Sequence, residues 1–218
     1  MERSAAIASS VPGPSGQCYS AQVTSAAPLR FTEAEYLALE AASDTKHEFV
    51  AGEILAMAGA RPPHNQLAAN VLAALVAATR GKSCAVMTSD QRVHVPGTRL
   101  YAYPDAIVAC GERRYNSNNP PSLLNPTLLV EVSSDSTEEH DRGTKFLHYQ
   151  AIESLREYMV VSHREQRIDH HQRLDSGQWL VTTALSGGRL RLSVLGVDLA
   201  LADVYAGVDL TEGEHVLP

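Results

Sequence analysis

Cysteine is scarce. The chain has three, Cys18, Cys84 and Cys110, an odd number with no Cys-x-x-Cys or other metal-ligand spacing. A disulfide framework is therefore not expected, and the thiols read as reduced ones in a cytoplasmic protein. Long apolar runs are missing too. None approaches the ~20 residues that a membrane-crossing helix needs, so an integral membrane protein is not expected. There is no excess of basic charge: 18 Lys and Arg stand against 25 Asp and Glu, a net charge of -7. That argues against coating nucleic acid by bulk electrostatics, but a local basic rim is compatible with it. No Gly-x-Ser-x-Gly elbow and no phosphate-cradling glycine loop occurs, so serine hydrolase and nucleotide kinase chemistry find no support.

What is present is a globular mixture, 44% hydrophobic and 20% charged over 218 residues, enough for one domain with a sizeable core. Residues 1–28, rich in Ala, Ser, Pro and Gly without apolar period, read as a flexible leader, and residues 29–218 as a single domain. Thr32 followed by Glu35 forms a capping box for a helix over 32–42. The segment 47–58 reads as a hairpin turning at Ala51-Gly52. Leu67, Val71, Leu72, Leu75 and Val76 recur at helical spacing from His64 to Arg80, with Gly81 as terminator.

Strand-like runs follow at 85–95, 101–110 and 127–133, with a loop over 116–126. A second long helix is expected over 138–152, with Phe146, Leu147 and Tyr149 in the core. Further strands are expected at 157–162, 166–174, 178–184 and 189–195, the last two joined by a Ser186-Gly187-Gly188 turn. The order predicts a mixed α/β sheet with flanking helices, not a run of βαβ units.

Two carboxylates stand out. Alternation puts Tyr103, Asp105, Ile107 and Ala109 on one face of their strand, and Leu129, Glu131 and Ser133 on one face of theirs. Glu131 lies inside Leu-Leu-Val-Glu-Val, a run that reads as buried on both sides, where an ionised carboxylate needs a compensating charge. Taken alone, Asp105 reads as a strand-end residue accepting backbone hydrogen bonds. If the two strands are neighbours, the pair comes within reach of one hard cation, and Mg²⁺ suits one or two carboxylates plus waters and a phosphate. In the helix that follows, Asp141, Lys145, His148 and Tyr149 fall on overlapping faces. Lys145 either points at the carboxylates or pairs with Asp141 along the helix. Two carboxylates, a cation and a lysine are equipment for phosphodiester hydrolysis. The flanks of His163, His170 and His171 read as an exposed turn and a solvated strand, not as zinc ligands.

Tyr103-Pro104-Asp105, then Leu129-Val130-Glu131-Val132-Ser133, then Asp141-Arg142-Gly143-Thr144-Lys145 with Tyr149, resemble the Uma2 family, also called DUF820. So do Glu48-Phe49-Val50-Ala51-Gly52-Glu53 and the helix start at His64. The resemblance spans roughly residues 30–205. It implies the PD-(D/E)XK nuclease superfamily, a restriction-endonuclease-like fold and a Mg²⁺- or Mn²⁺-dependent endonuclease acting on DNA. By that resemblance Asp105 and Glu131 are metal ligands and catalytic, Glu48 is an additional ligand or supports one, and His64, Asp141 and Tyr149 are secondary candidates. The superfamily normally has its lysine two residues after the glutamate, where this chain has Ser133. The family takes it from the next helix instead, which carries over to Lys145. Arg61, Arg113, Arg114 and Arg142 are candidate phosphate contacts. A homodimer is compatible with duplex cleavage. The alternative is a nuclease fold without activity that docks DNA or a protein partner.

Overall fold

The computed structural model describes residues 30–57, 59–134 and 141–211; the side chains of Asp141 and Arg142 fall outside that description, as do the leader and Cys18. No described helix is long and apolar enough to cross a membrane.

Helix α1 (Glu33–Ala42) starts at the capping box, where Thr32 and Glu35 satisfy each other's backbone N–H groups. It leads into the hairpin β1 (His47–Val50) and β2 (Glu53–Ala56). The two turn residues, Ala51 (φ 50°) and Gly52 (φ 106°), both have the positive φ that a tight two-residue hairpin requires. A Cβ at position 52 would also come within 3.3 Å of Arg30 Cβ.

Helix α2 (Pro62–Thr79) has Pro at its first turn and buries Leu67, Val71 and Leu75, four residues apart. Each such side chain contributes about 1.5–3 kcal/mol on burial.

β1 and β2 belong to a four-stranded sheet in the order β2-β1-β5-β4, with β4 (Val93–Val95) and β5 (Leu100–Ala102). A six-stranded sheet has the order β10-β9-β8-β7-β6-β3. Its members are β3 (Cys84–Thr88), β6 (Ala106–Cys110), β7 (Leu128–Val132), β8 (Glu157–Val161), β9 (Arg167–Arg173) and β10 (Trp179–Leu185). All its pairings are antiparallel except β7–β8. Strands β11 (Arg189–Leu192) and β12 (Val197–Ala200) form a separate hairpin, followed by the short helix α4 (Leu201–Val204).

The large sheet is covered on both faces. On one, Leu128, Val130 and Val132 pack with α2, the β11–β12 hairpin and α4 in an all-apolar cluster. On the other, Leu129, Tyr158 and Val160 meet Val50, Val93 and Leu100 of the four-stranded sheet. The helix α3 (Phe146–Tyr149) also packs there through Tyr149.

Several expectations are corrected. The runs 85–95 and 101–110 are not single strands; each is divided between the two sheets. In the second, the chain leaves the small sheet at Ala102 and enters the large one at Ala106. Asp105 therefore lies at a strand start, not within a strand. The expected helix over 138–152 is present but shorter, a π-helical turn (Asp141–Lys145) running into α3 (Phe146–Tyr149), with residues 138–140 outside the described part. Leu147 is exposed, not core, because so short a helix buries only one face. The turn at Ser186-Gly187-Gly188 does not join paired strands, since β10 pairs with β9 and β11 with β12. Asp169, His170 and His171 are buried rather than solvated, because β9 is an interior strand covered on both faces.

Cys84 and Cys110 form a disulfide. They are 26 residues apart, yet stand directly opposite each other in the β3–β6 ladder. Cross-strand proximity of this kind leaves no trace in cysteine spacing.

Candidate metal centre between the two sheets

Glu131 is the single charged residue of β7, and its position follows from alternation: it shares a face with Leu129, toward the small sheet. Only 3% of it is exposed. Glu48, 6% exposed, enters the same space from β1 of the other sheet. Lys145, 5% exposed, lies between them, with Nζ 3.0 Å from Glu48 Oε1 and 3.3 Å from Glu131 Oε1. Tyr149, four residues further on, donates its hydroxyl to the same Glu131 oxygen at 2.9 Å. The Tyr103 backbone N–H donates to Glu48 Oε1 at 3.2 Å. Two ionised carboxylates in so dry a place repel each other and lose hydration, and the shared ammonium offsets both costs. Burial, and then the charge of Glu131, hold the Tyr149 hydroxyl well above its ordinary pKa, so it stays a neutral donor. Tyr103 is likewise raised, by burial first and by its hydrogen bond to Glu40 second.

Asp105 reaches this place from β6. The last ladder pair is Ala106–Val130, so one step further Asp105 stands opposite Glu131. Its Oδ2 accepts the Val132 backbone N–H at 2.7 Å, filling the position a ladder carbonyl would have taken. That is the strand-end role expected of a lone carboxylate. It leaves Oδ1 without a hydrogen bond among the described residues. His64 Nε2, from the first turn of α2, lies 3.4 Å from Asp105 Oδ2.

Asp105, Glu131, Glu48, Lys145, Tyr149 and His64 therefore all converge on the end of β7. Asp141 lies in the adjacent π-turn, its side chain outside the described residues. Lys145 faces the carboxylates, as one of its two sequence readings has it. The arginines divide. Arg61 precedes α2 at the His64 end, whereas Arg113 and Arg114 follow β6 at the end remote from Asp105, and Arg142 has no described side chain. Arg113 and Arg114 are thus not placed beside Asp105. The five residues of β6 separate them, so residues just past the strand are about 17 Å from Asp105.

His163 is the residue that sequence reasoning missed. Its Nδ1 is 3.0 Å from Ser133 Oγ, and its backbone N–H donates to the same oxygen at 3.3 Å. The signal was the parallel β7–β8 register. Val132 pairs with Val161, which brings Ser133 beside the residues that follow β8.

The donors suit a hard divalent ion: carboxylate oxygens, with Asp105 Oδ1 and Glu48 Oε2 making no hydrogen bond among the described residues. No three His, Cys, Asp or Glu side chains among the described residues are grouped closely enough to hold an ion alone.

The fold is similar to that of a solved structure from Anabaena variabilis titled as a "putative nuclease belonging to DUF820". It superposes with a TM-score of 0.62 at 11% identity, over 75% of this chain and 92% of that one, and gives this chain a restriction-endonuclease-like fold. Residues 33–202 match the Uma2 family, described as "Putative restriction endonuclease", and the chain belongs to that family. Two relatives are proteins of Synechocystis named as uncharacterized. The first, sll1609, is 34% identical over 69% of this chain and 85% of its own. The second, slr1290, is 33% identical over 80% of this chain and 90% of its own.

Proposed function

We propose that the chain is a Mg²⁺- or Mn²⁺-dependent endonuclease that hydrolyses DNA phosphodiester bonds. The observation that carries this reading is the buried Glu48–Lys145–Glu131 cluster with Asp105 opposite Glu131 at the mouth. Asp105 and Glu131 would hold the ion, with Glu48 as a further ligand. When bound, it would lower the pKa of a water and stabilise charge on a phosphate oxygen. The chain's own groups do the rest. The Val132 N–H fixes one oxygen of Asp105, so the other is presented in a set direction. The Tyr149 hydroxyl orients Glu131, and Lys145 holds the two glutamates together while offering an ammonium to an incoming phosphate. Arg61 stands at the same end for a phosphate contact.

Cleavage of supercoiled plasmid in Mn²⁺ and in EDTA, by wild type, Asp105→Asn and Glu131→Gln, tests the assignment. Metal-dependent cleavage that both variants lose is expected; an Asp105→Asn protein as fast as wild type overturns it. A second reading, a docking module without turnover, rests on Lys145 already neutralising both glutamates and on Ser133 at the superfamily's usual lysine position. Stoichiometric DNA binding with no cleavage in Mn²⁺ would favour it.

A further inference from the structure

Hydrolysis of a phosphodiester takes a proton from the attacking water, and the groups placed so far in the centre are poor acceptors for it. Lys145 is the counter-charge of two buried carboxylates, and losing a proton there would leave both unneutralised. The Tyr149 hydroxyl is held neutral by burial and by the charge of Glu131. His64 is turned to Asp105, with Nε2 3.4 Å from Oδ2.

The turn between β8 and β9 supplies an acceptor. Ser133 is fully buried two residues past Glu131 on the same face of β7, about 7 Å further along the strand. Its Oγ lies 3.0 Å from His163 Nδ1 and accepts the His163 backbone N–H at 3.3 Å. From the other side the turn is held by Tyr205, just after α4 and 5% exposed. The Tyr205 hydroxyl lies 2.9 Å from the Ser162 carbonyl and 2.7 Å from that of Arg167, and accepts the Arg167 N–H at 3.1 Å. Surface turns are ordinarily the mobile parts of a fold. This one is tied to two buried side chains from other elements, and the half-exposed ring of His163 is what the ties present. Arg164 Nε–H donates to His163 Nε2 at 3.4 Å, so the two ring contacts together assign the lone pair to Nε2 and the proton to Nδ1, facing Ser133.

We propose, on the nuclease reading above, that His163 is the general base of the hydrolysis and accepts the proton of the attacking water at Nε2. The water oxygen bonds to phosphorus as its proton passes to Nε2. The bond from phosphorus to the leaving oxygen breaks, and that oxygen takes a proton from solvent. The imidazolium then returns its own proton to solvent, which restores the starting ring. Ser133 is a positioning residue: it keeps the ring from turning over and keeps the Nδ1 proton in place, so that the lone pair faces outward.

Plasmid nicking in Mn²⁺ by wild type, Asp105→Asn, Ser133→Ala, His163→Ala and His163→Gln tests this, beside Mn²⁺ calorimetry and nitrogen NMR of the metal-free chain. Both His163 variants should nick at least ~100-fold more slowly than wild type while binding Mn²⁺ as wild type does. Free imidazole should restore part of the His163→Ala rate and leave wild type unchanged. Ser133→Ala should be slowed less than either, and its His163 proton should spread over both ring nitrogens where wild type keeps it on Nδ1. A His163→Ala protein as fast as wild type overturns the assignment and leaves the nuclease reading standing. So does one slowed through lost Mn²⁺ binding, or a wild-type ring with its proton on Nε2. An Asp105→Asn protein as fast as wild type, or a wild type that does not cleave, removes the nuclease reading and this role with it.

Discussion

The two faces of β7 are built from one five-residue strand and are chemically opposed. Leu128, Val130 and Val132 face α2 and the β11–β12 hairpin, where packing alone sets the energy. Leu129, Glu131 and then Ser133 face the small sheet, α3 and the turn after β8, where a glutamate, a lysine, a tyrosine and a second glutamate replace part of the apolar contact. The apolar face tolerates apolar side chains of the right volume. The charged face tolerates only a set whose charges and hydrogen bonds close. Stability and the proposed chemistry are thus divided across a single strand, and substitutions should separate them.

The largest effect is expected on the charged face. Glu131→Gln should lower metal-dependent DNA cleavage at least ~100-fold, equivalent to ~2.7 kcal/mol of barrier, read as initial nicking rate on plasmid. Lys145→Ala leaves two buried carboxylates without their cation and should cost ~3–5 kcal/mol in urea unfolding. Adding Glu48→Gln should recover part of that loss, and no recovery would mean that the cluster does not act as a charge set. On the apolar face, Leu128→Ala should cost ~2–5 kcal/mol and leave cleavage per folded molecule unchanged; a parallel fall in rate would break the division. Tyr149→Phe removes one donor to a charged acceptor and should cost ~1.5–3 kcal/mol, with the nicking rate falling too if Glu131 needs orienting. The smallest change is expected at the surface. Lys46 and Asp90 form an ion pair in the open, and Lys46→Ala should change stability by less than ~1 kcal/mol, a loss that added salt should shrink further.

Much of the frame was legible because local signals agreed. The Thr32–Glu35 box, the Ala51-Gly52 turn and the stripe of Leu67, Val71 and Leu75 each specify one element from residues close in sequence. The clustering of the candidate residues was legible for a related reason: a glutamate inside Leu-Leu-Val-Glu-Val is anomalous unless something compensates it, and Lys145 does. What failed depended on partners distant in sequence. Nothing in 101–110 says that Tyr103-Pro104-Asp105 carries the chain from one sheet to another. Cys84 and Cys110 meet only because β3 and β6 pair, and His163 reaches Ser133 only because β7 and β8 run parallel. The histidines of β9 were misjudged because polar side chains suggest solvent, whereas the strand's place inside the sheet decides their burial.

The crossing at Tyr103-Pro104-Asp105 has a mechanical consequence. Asp105 and Glu131 are tied together by the ladder of the large sheet and by the Val132 N–H, so their relation is rigid. Glu48 arrives on the small sheet and is joined to them through the ammonium of Lys145 and the backbone N–H of Tyr103, two residues before Asp105. The candidate centre is therefore a fixed pair of carboxylates braced against a third, with a lysine as the tie between the sheets.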